Sequence, residues 1–418
     1  MEASTDQIAA GRAAFGNPNF VHFLVARAFI ILALEMLSVA VGWQVYEITH
    51  RPLDLGLVGL AQFLPGVLLF LVSGHAVDHF NRRNVLSLCY AGFVVCSSLL
   101  LAITWRDLHS IRPIYEVLVL LGVVRAFNGP VGQAILPQLV PVEHYPNAVA
   151  WSASTRTMAT ILGPSLGGLI YAFSRGPSTV YAAVIVASGA AFVTTLQIKT
   201  ESNVRVREPV SLTSVMAGLD YIWNQKLILG AISLDLFAVL LGGAVALLPV
   251  YAREILQTGP WGLGLLRSAP GVGAAAMAAL LAYRPLRRKA GPAMLWSVAG
   301  FGIFTIIFGI SHNLILSLIS LLFVGATDMV SVIIRTTLVQ LATKDEMRGR
   351  VSAVNMLFVG ASNEFGQFES GVTAAWVGTV PAVVLGGIGT LIVIGIWAWK
   401  FPELRQADKL TIQSILEE

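Results

Sequence analysis

The chain has 418 residues, of which 56% are hydrophobic and only 12% charged, with a mean hydropathy of +0.75 and a formal net charge of +4. That apolar excess is more than a soluble core can bury, which excludes a water-soluble enzyme or binding module and points to an integral membrane protein. The basic balance does not indicate a nucleic-acid partner, because Lys and Arg are dispersed among short loops.

Residues 1–18 are polar and read as a cytoplasmic segment, with no removable signal peptide ahead of the first apolar run. Apolar runs of about 20 residues or more then recur, predicting twelve spans at roughly 20–47, 55–79, 83–105, 113–139, 146–173, 178–198, 226–254, 261–283, 291–311, 314–342, 349–375 and 380–399. The fold class expected is an all-α membrane protein. With the N-terminus inside, seventeen Lys and Arg fall on the inner side and five on the outer, so both termini are expected in the cytoplasm. Five more arginines, Arg27, Arg125, Arg156, Arg267 and Arg335, fall within spans.

The charged, Pro-containing stretch 199–211 divides the chain, giving an N-terminal segment (1–18), a six-helix bundle (19–198), a linker (199–225), a second six-helix bundle (226–399) and a cytoplasmic tail (400–418). Within the linker, Leu212, Val215, Met216, Leu219 and Ile222 recur at helical spacing and predict an amphipathic helix on the inner surface. A weak repeat relates the bundles: Gln138-Leu139 with Glu143 parallels Gln340-Leu341 with Asp345 at an offset of 202 residues. Arg287-Arg288 is a degraded counterpart of Arg82-Arg83.

Cys89 and Cys96 lie seven residues apart in one span, too far along a helix to pair, and read as apolar filler. Neither an H-E-x-x-H motif, a Cys/His cluster nor a G-x-x-x-x-G-K-[ST] loop is present, so no metal, no cofactor and no ATP-driven pumping are expected.

The stretch from Gly74 to Arg83 reads as a short charged loop between spans 2 and 3. Gly74 is expected to admit a close neighbouring helix, Asp78 to cap the next helix or pair with a basic group, and Arg82 and Arg83 to hold the loop in the cytosol. Beside Asp78, His75 and His79 read as solvated. The spacing resembles the G-x-x-x-D-R-x-G-R-R signature of the major facilitator superfamily at Gly74, Asp78, Arg82 and Arg83, with His79 and Asn81 departing from it. In span 5, Gly163-Pro164-Ser165-Leu166-Gly167-Gly168 resembles the superfamily's G-P-x-x-G-G exporter signature. Pro164 frees a carbonyl and bends the helix, while the three glycines make a smooth packing face. An ordinary glycine-rich packing face is the plainer reading of the same residues. In span 4, Arg125-Ala126-Phe127-Asn128-Gly129 is similar to R-x-x-Q-G, with Asn128 in place of Gln.

These matches imply two pseudo-symmetric six-helix bundles with substrate near the midplane, moved by alternating access. The resemblance extends to the bacterial subfamily of enterobactin exporters and drug-efflux proteins. It implies export of a small amphipathic molecule, siderophore or drug-like, across the bacterial inner membrane in exchange for protons, with the small molecule, protons and the bilayer as partners of a monomer. A lipid or lysolipid translocator, an importer and a non-transporting sensor are the alternatives. An intramembrane enzyme is disfavoured, because Ser362 near Glu364 is too little for a catalytic constellation.

An ionisable side chain at membrane depth must face a polar interior or a partner. The resemblance associates Arg125 with proton coupling; a buried structural ion pair is the alternative. Glu35, about 15 residues into span 1 and roughly 22 Å along it, is the first proton-site candidate, because a carboxyl in a partly dry cavity can take up and release a proton. It can instead bind a cationic substrate or pair with Arg156 or Arg125. Asp235, Asp328, Glu364 and Glu369 are the further candidates, and Asp328 and Arg335 lie nearly on one helix face. Six of the eleven residues 361–371 are polar, so this stretch lines the path or docks onto the inner loop. Phe127, Trp151, Phe237 and Phe358 can stack on an aromatic substrate, and with Glu35, Arg156 and Arg335 they complete the candidate cavity; packing is the alternative for each aromatic. Trp397 and Trp399 read as an interfacial belt.

Overall fold

The computed structural model describes residues 13–106, 110–199, 212–286 and 288–408, apart from the side chains of Leu71, Asp78 and Leu212. The expected N-terminal segment before residue 13, the charged part of the linker, Arg287 and the tail beyond 408 lie outside the described residues. The long helices are α1 (Pro18–Thr49), α2 (Pro52–Leu68), α3 (Phe70–His79), α4 (Arg82–Trp105), α5 (Arg112–Ile135), α6 (Tyr145–Ser174) and α7 (Pro177–Leu196), followed by α8 (Leu212–Asn224), α9 (Lys226–Leu241), α10 (Gly259–Tyr283), α11 (Ala290–Ile310), α12 (Leu314–Ala342), α13 (Arg348–Val377) and α14 (Thr379–Lys400). No strand occurs among the described residues.

Ten of the described helical stretches are long and apolar enough to cross a membrane, α9 counting together with its continuation to Ile255. The other two of the twelve expected spans depart for different reasons. Span 2 is interrupted at Leu69, leaving α2 and α3 as separate pieces, with Pro65 inside α2. Each piece is then too short to cross a membrane alone. Span 11 is the unbroken α13, but its polar side chains lower its hydropathy. Together they complete a twelve-helix membrane fold.

The linker helix α8 forms as its spacing predicts, with its apolar stripe packed against the protein. Val215, Leu219, Tyr221 and Ile222 pack with Val339, Val351, Val354 and Phe358, leaving Met216 exposed. A Cβ on Gly218 would lie 2.9 Å from the Arg350 carbonyl oxygen, so α8 rests on the backbone of α13.

The Gly74 region is also different from the expectation. Gly74 to His79 is helical, as the end of α3, and the connection to α4 shrinks to Phe80 and Asn81. A Cβ on Gly74 would meet nothing within 4 Å, so no helix uses its missing side chain here. The cap of α4 is Asn81, whose side chain accepts from the backbone N–H groups of Arg83 and Asn84 at 3.0 and 3.4 Å; the Asp78 side chain lies outside the described residues. His75 and His79 stack with ring centroids 3.9 Å apart on the exposed side of α3.

Span 7 was expected to run unbroken to residue 254, but α9 ends at Leu241. Gly242 and Gly243 interrupt it, and 3₁₀, α and π turns carry the chain from Ala244 to Ile255. Glycine has no side chain to hold the helical path, and Pro249 lies two turns later. Gly243 also admits α13 to backbone contact, since its Cβ would lie 2.6 Å from the Gly366 carbonyl oxygen.

The chain divides into two compact units: Met1–Gln44 with Ala61–Val210, and Val45–Leu60 with Ser211–Glu418. The segment Val45–Leu60 groups with the second unit although it belongs by sequence to the first six helices. Its glycines explain this. A Cβ on Gly56 would lie 3.1 Å from Phe368 Cα, and one on Gly59 would lie 3.0 Å from Glu364 Oε2, so α2 packs against α13 with almost no side chain between them. In the same unit the Tyr46 hydroxyl donates to Glu254, and Arg253 lies 3.8 Å from Glu47.

Candidate transport site

In the first unit, the Gly163 and Gly167 face of α6 lies on α1. A Cβ on Gly163 would fall 2.5 Å from Glu35 Cβ and 3.2 Å from the Leu32 carbonyl oxygen, and one on Gly167 2.9 Å from Met36 Cα. Gly163, Pro164, Gly167 and Gly168 are all buried. Glu35, partly buried, therefore stands where two backbones meet.

Arg125 on α5 is exposed, and its Nη1 donates to Gln62 Oε1 on α2 at 2.7 Å. The interior arginine has a neutral amide as its partner in this structure. Gly122, one turn earlier on α5, lets the Gln62 carbonyl approach its backbone. Arg82 Nη1 donates to the Ala134 carbonyl at 2.9 Å and Arg83 Nη2 to the Leu196 carbonyl at 2.5 Å. Both guanidiniums thus sit at the C-terminal ends of helices, where unpaired carbonyls carry partial negative charge.

Sequence reasoning passed over Arg27 except as one arginine within a span. It is partly buried on α1, 5.7 Å from the Phe23 ring centroid, and its Nε has no hydrogen-bond partner. Tyr90 on α4 and Arg156 on α6 are its electrostatic neighbours. The available signal was the bare presence of a guanidinium inside an apolar run.

In the second unit, Arg335 on α12 pairs with Asp235 on α9 at 2.9 Å, both side chains about nine-tenths or more buried. Asn355 Oδ1 accepts from Arg335 Nη1 at 3.3 Å. Asp328, two turns before Arg335, acts electrostatically on the same pair. Two carboxylates and one guanidinium are therefore gathered in one bundle, and the close partner of Arg335 is Asp235. A buried ion pair carries a large desolvation penalty, so it holds only with good geometry and extra hydrogen bonds.

Glu364 accepts from Gln367 at 3.2 Å and faces Gly59; Glu369 accepts from the Thr373 hydroxyl at 2.7 Å. The polar stretch of α13 thus meets α2 at Gly56 and Gly59. The aromatic candidates have packing partners: Trp151 stands edge-on to Phe15 at 4.9 Å, Phe237 contacts Trp397 at 5.2 Å, and Phe358 packs with Val351 and Val354. Phe127 is partly buried on α5. Trp397, read as part of a belt, instead donates to the Ser233 hydroxyl at 3.0 Å, while Trp399 is 84% exposed. Cys89 and Cys96 are buried and free.

Comparison with known proteins agrees with this architecture. The family model of the Major Facilitator Superfamily matches residues 23–367. The enterobactin exporter EntS of Shigella boydii serotype 4 (strain Sb227) is 27% identical over 395 residues, covering 90% of each chain. EntS of Escherichia coli O81 (strain ED1a) gives the same identity and coverage. Among solved structures, the nucleoside transporter NupG aligns with a TM-score of 0.68 at 13% identity, covering 93% of this chain and 99% of its own. The D-xylose-proton symporter aligns with a TM-score of 0.68 at 13% identity, covering 91% and 97%. With twelve helices, matched signatures in the fourth and fifth spans and a family model spanning most of its length, this chain belongs to the Major Facilitator Superfamily.

Proposed function

We propose that this transporter exports a small amphipathic molecule across the bacterial inner membrane by alternating access, in exchange for protons. The observation that carries the reading is the glycine seam of α6 on α1, where Gly163 faces the Cβ and Cγ of Glu35. A seam without side chains can slide or bend with little steric resistance, so a change of charge at Glu35 can be felt by both helices. Export rather than import is supported by the likeness of that seam to the exporter signature and by the EntS relatives being enterobactin exporters. The two units are read as the two moving halves, with both termini cytoplasmic and the chain acting as a monomer. Arg82 and Arg83, seated on the ends of α5 and α7, are read as the latch. Proton exchange is supported by carboxylates inside both units: Glu35 in the first, Asp235 and Asp328 in the second.

The test is proton movement in everted vesicles on addition of catecholate siderophores, lipophilic cations or lysolipids, with the parent compared against Glu35→Gln. Substrate-linked proton release from the lumen that Glu35→Gln abolishes, with substrate binding retained, supports proton antiport centred on Glu35. Release that persists in Glu35→Gln moves the coupling to Asp235, Asp328, Glu364 or Glu369. A compound that is transported without any proton release overturns the antiport.

A further inference from the structure

The helix α11 starts without a cap of its own. Its N-cap is Lys289, held at a φ of 56°, and a lysine side chain offers donors only, so it accepts nothing from the following turn. Pro292 has no N–H, and the Ala293 N–H already reaches the Lys289 carbonyl at 2.9 Å. The donors left over at this end are therefore those of Lys289, Ala290 and Gly291.

The tail supplies an acceptor for each. The Lys289 N–H donates to Asp408 Oδ1 at 3.0 Å, the Ala290 N–H to the Asp408 carbonyl at 3.4 Å and the Gly291 N–H to the Ala407 carbonyl at 2.9 Å. A short helix, α15 (Pro402–Gln406), precedes these acceptors. Its Leu404 is fully buried, and a Cβ on Gly291 would overlap the Leu404 carbonyl, so the tail can lie this close only because position 291 is glycine. Phe401, just before α15, rests on α9, where a Cβ on Gly230 would lie 3.0 Å from its ring. Phe401 and Leu404 share one apolar cluster with Ala231 of α9, Ala290 and Met294 of α11 and Val393 of α14. The Lys226–Glu403 pair, 3.7 Å apart, is exposed and adds little.

The third helix of the first bundle solves the same problem locally, with Asn81 capping α4 from the adjoining position. Its counterpart α11 follows the connection 284–289, which holds four basic residues and no side chain able to accept a hydrogen bond. We infer that residues 401–408 are a clasp. Asp408 stands in for the missing cap, and with Phe401 and Leu404 it ties the starts of α9 and α11 to the end of α14, so that these helix ends loosen together. Asp408 and Lys289 are exposed while Leu404 is buried, which lets the clasp be released at its tip without opening the core. On the transport reading, on which its purpose rests, the clasp makes the second bundle move as one body at the end that carries the C-terminus. It does there what Arg82 and Arg83 are read as doing in the first.

Hydrogen exchange followed by mass spectrometry, on the full-length chain in nanodiscs, tests the clasp with neither substrate nor proton gradient. Its failure is therefore separate from that of the transport reading. Asp408→Ala is expected to speed exchange about fivefold or more at residues 289–291 and, because the clasp spans both helices, at residues 229–231 of α9 as well. Asp408→Asn keeps an acceptor oxygen and should stay within about twofold of the parent. Gly291→Ala leaves Asp408 in place but displaces the Leu404 carbonyl, and should raise exchange at both helix starts. Unchanged exchange at 289–291 in Asp408→Ala and Gly291→Ala overturns the clasp. So does a rise confined to α11 with 229–231 as slow as in the parent, which makes Asp408 a local cap only. Faster exchange throughout α11 in all three variants, Asp408→Asn included, makes the contact a condition of folding instead of a releasable clasp, and overturns it equally.

Discussion

Replacing Asp235 by Asn keeps the shape of the side chain and removes the charge that Arg335 needs. The two groups are 2.9 Å apart, with 5% of the arginine and 6% of the aspartate side chain exposed. At an effective dielectric of about 20, the gross attraction at that distance is roughly 5 to 6 kcal/mol. Desolvation of both ions offsets most of it in the intact protein, but removing Asp235's charge leaves Arg335 buried with its close partner lost and Asp328, two turns away on its own helix, as the remaining acidic neighbour; breaking a buried pair in this way costs about 3–5 kcal/mol. Asn355, at 3.3 Å, is too long and neutral a partner to replace the carboxylate. Asp235→Asn is therefore expected to destabilise the protein by about 3–5 kcal/mol. The double variant Asp235→Leu with Arg335→Met should lie well above the sum of its single variants, because it removes both charges together. The assay is reversible unfolding in mixed micelles, read as a double-mutant cycle. A loss of under about 1 kcal/mol for Asp235→Asn, or additivity within about 0.5 kcal/mol, would refute the reasoning and return the pair to the class of weak, solvated contacts.

At the seam, Gly163→Ala should destabilise by about 1–3 kcal/mol, because the new methyl meets Glu35 Cβ at 2.5 Å and backbone cannot yield. Gly189→Ala on α7, where nothing lies within 4 Å, serves as the control and should be neutral or slightly stabilising; equal losses at both sites in thermal unfolding would contradict the seam. Asn81→Ala should cost about 1 kcal/mol by removing the cap of α4, visible as faster amide exchange confined to its first turn. Arg82→Ala removes a donor from the end of α5 and should cost about 1–2 kcal/mol, with Arg82→Lys recovering part of it in the same unfolding assay. Gly218→Leu should detach α8 from α13 and expose the linker to limited proteolysis, an effect absent if α8 merely lay on the membrane surface.

Span number and the glycine face of α6 could be read from the amino-acid sequence because each is a local property. About 20 consecutive apolar residues have one low-energy form in lipid, an intrahelical hydrogen-bonded segment, whatever surrounds them. Pro164 and its neighbouring glycines act on their own helix, so they too announce themselves. The amphipathic spacing of 212–224 specified a helix, but not that its apolar stripe would cover Val339 and Val351 rather than lipid, since both are equally dry. Pairing was decided only by tertiary structure. Asp328 and Arg335 share a helix face in the sequence, yet the 2.9 Å partner of Arg335 is Asp235, 100 residues away, because helix packing brings α9 to α12. Arg125 is similar: its charge required a polar neighbour, and the fold supplied the Gln62 amide. Arg27 shows the limit most plainly. A sequence reveals that a guanidinium lies in an apolar run, while the open space that Gly132 of α5 leaves beside it is set by the tertiary structure.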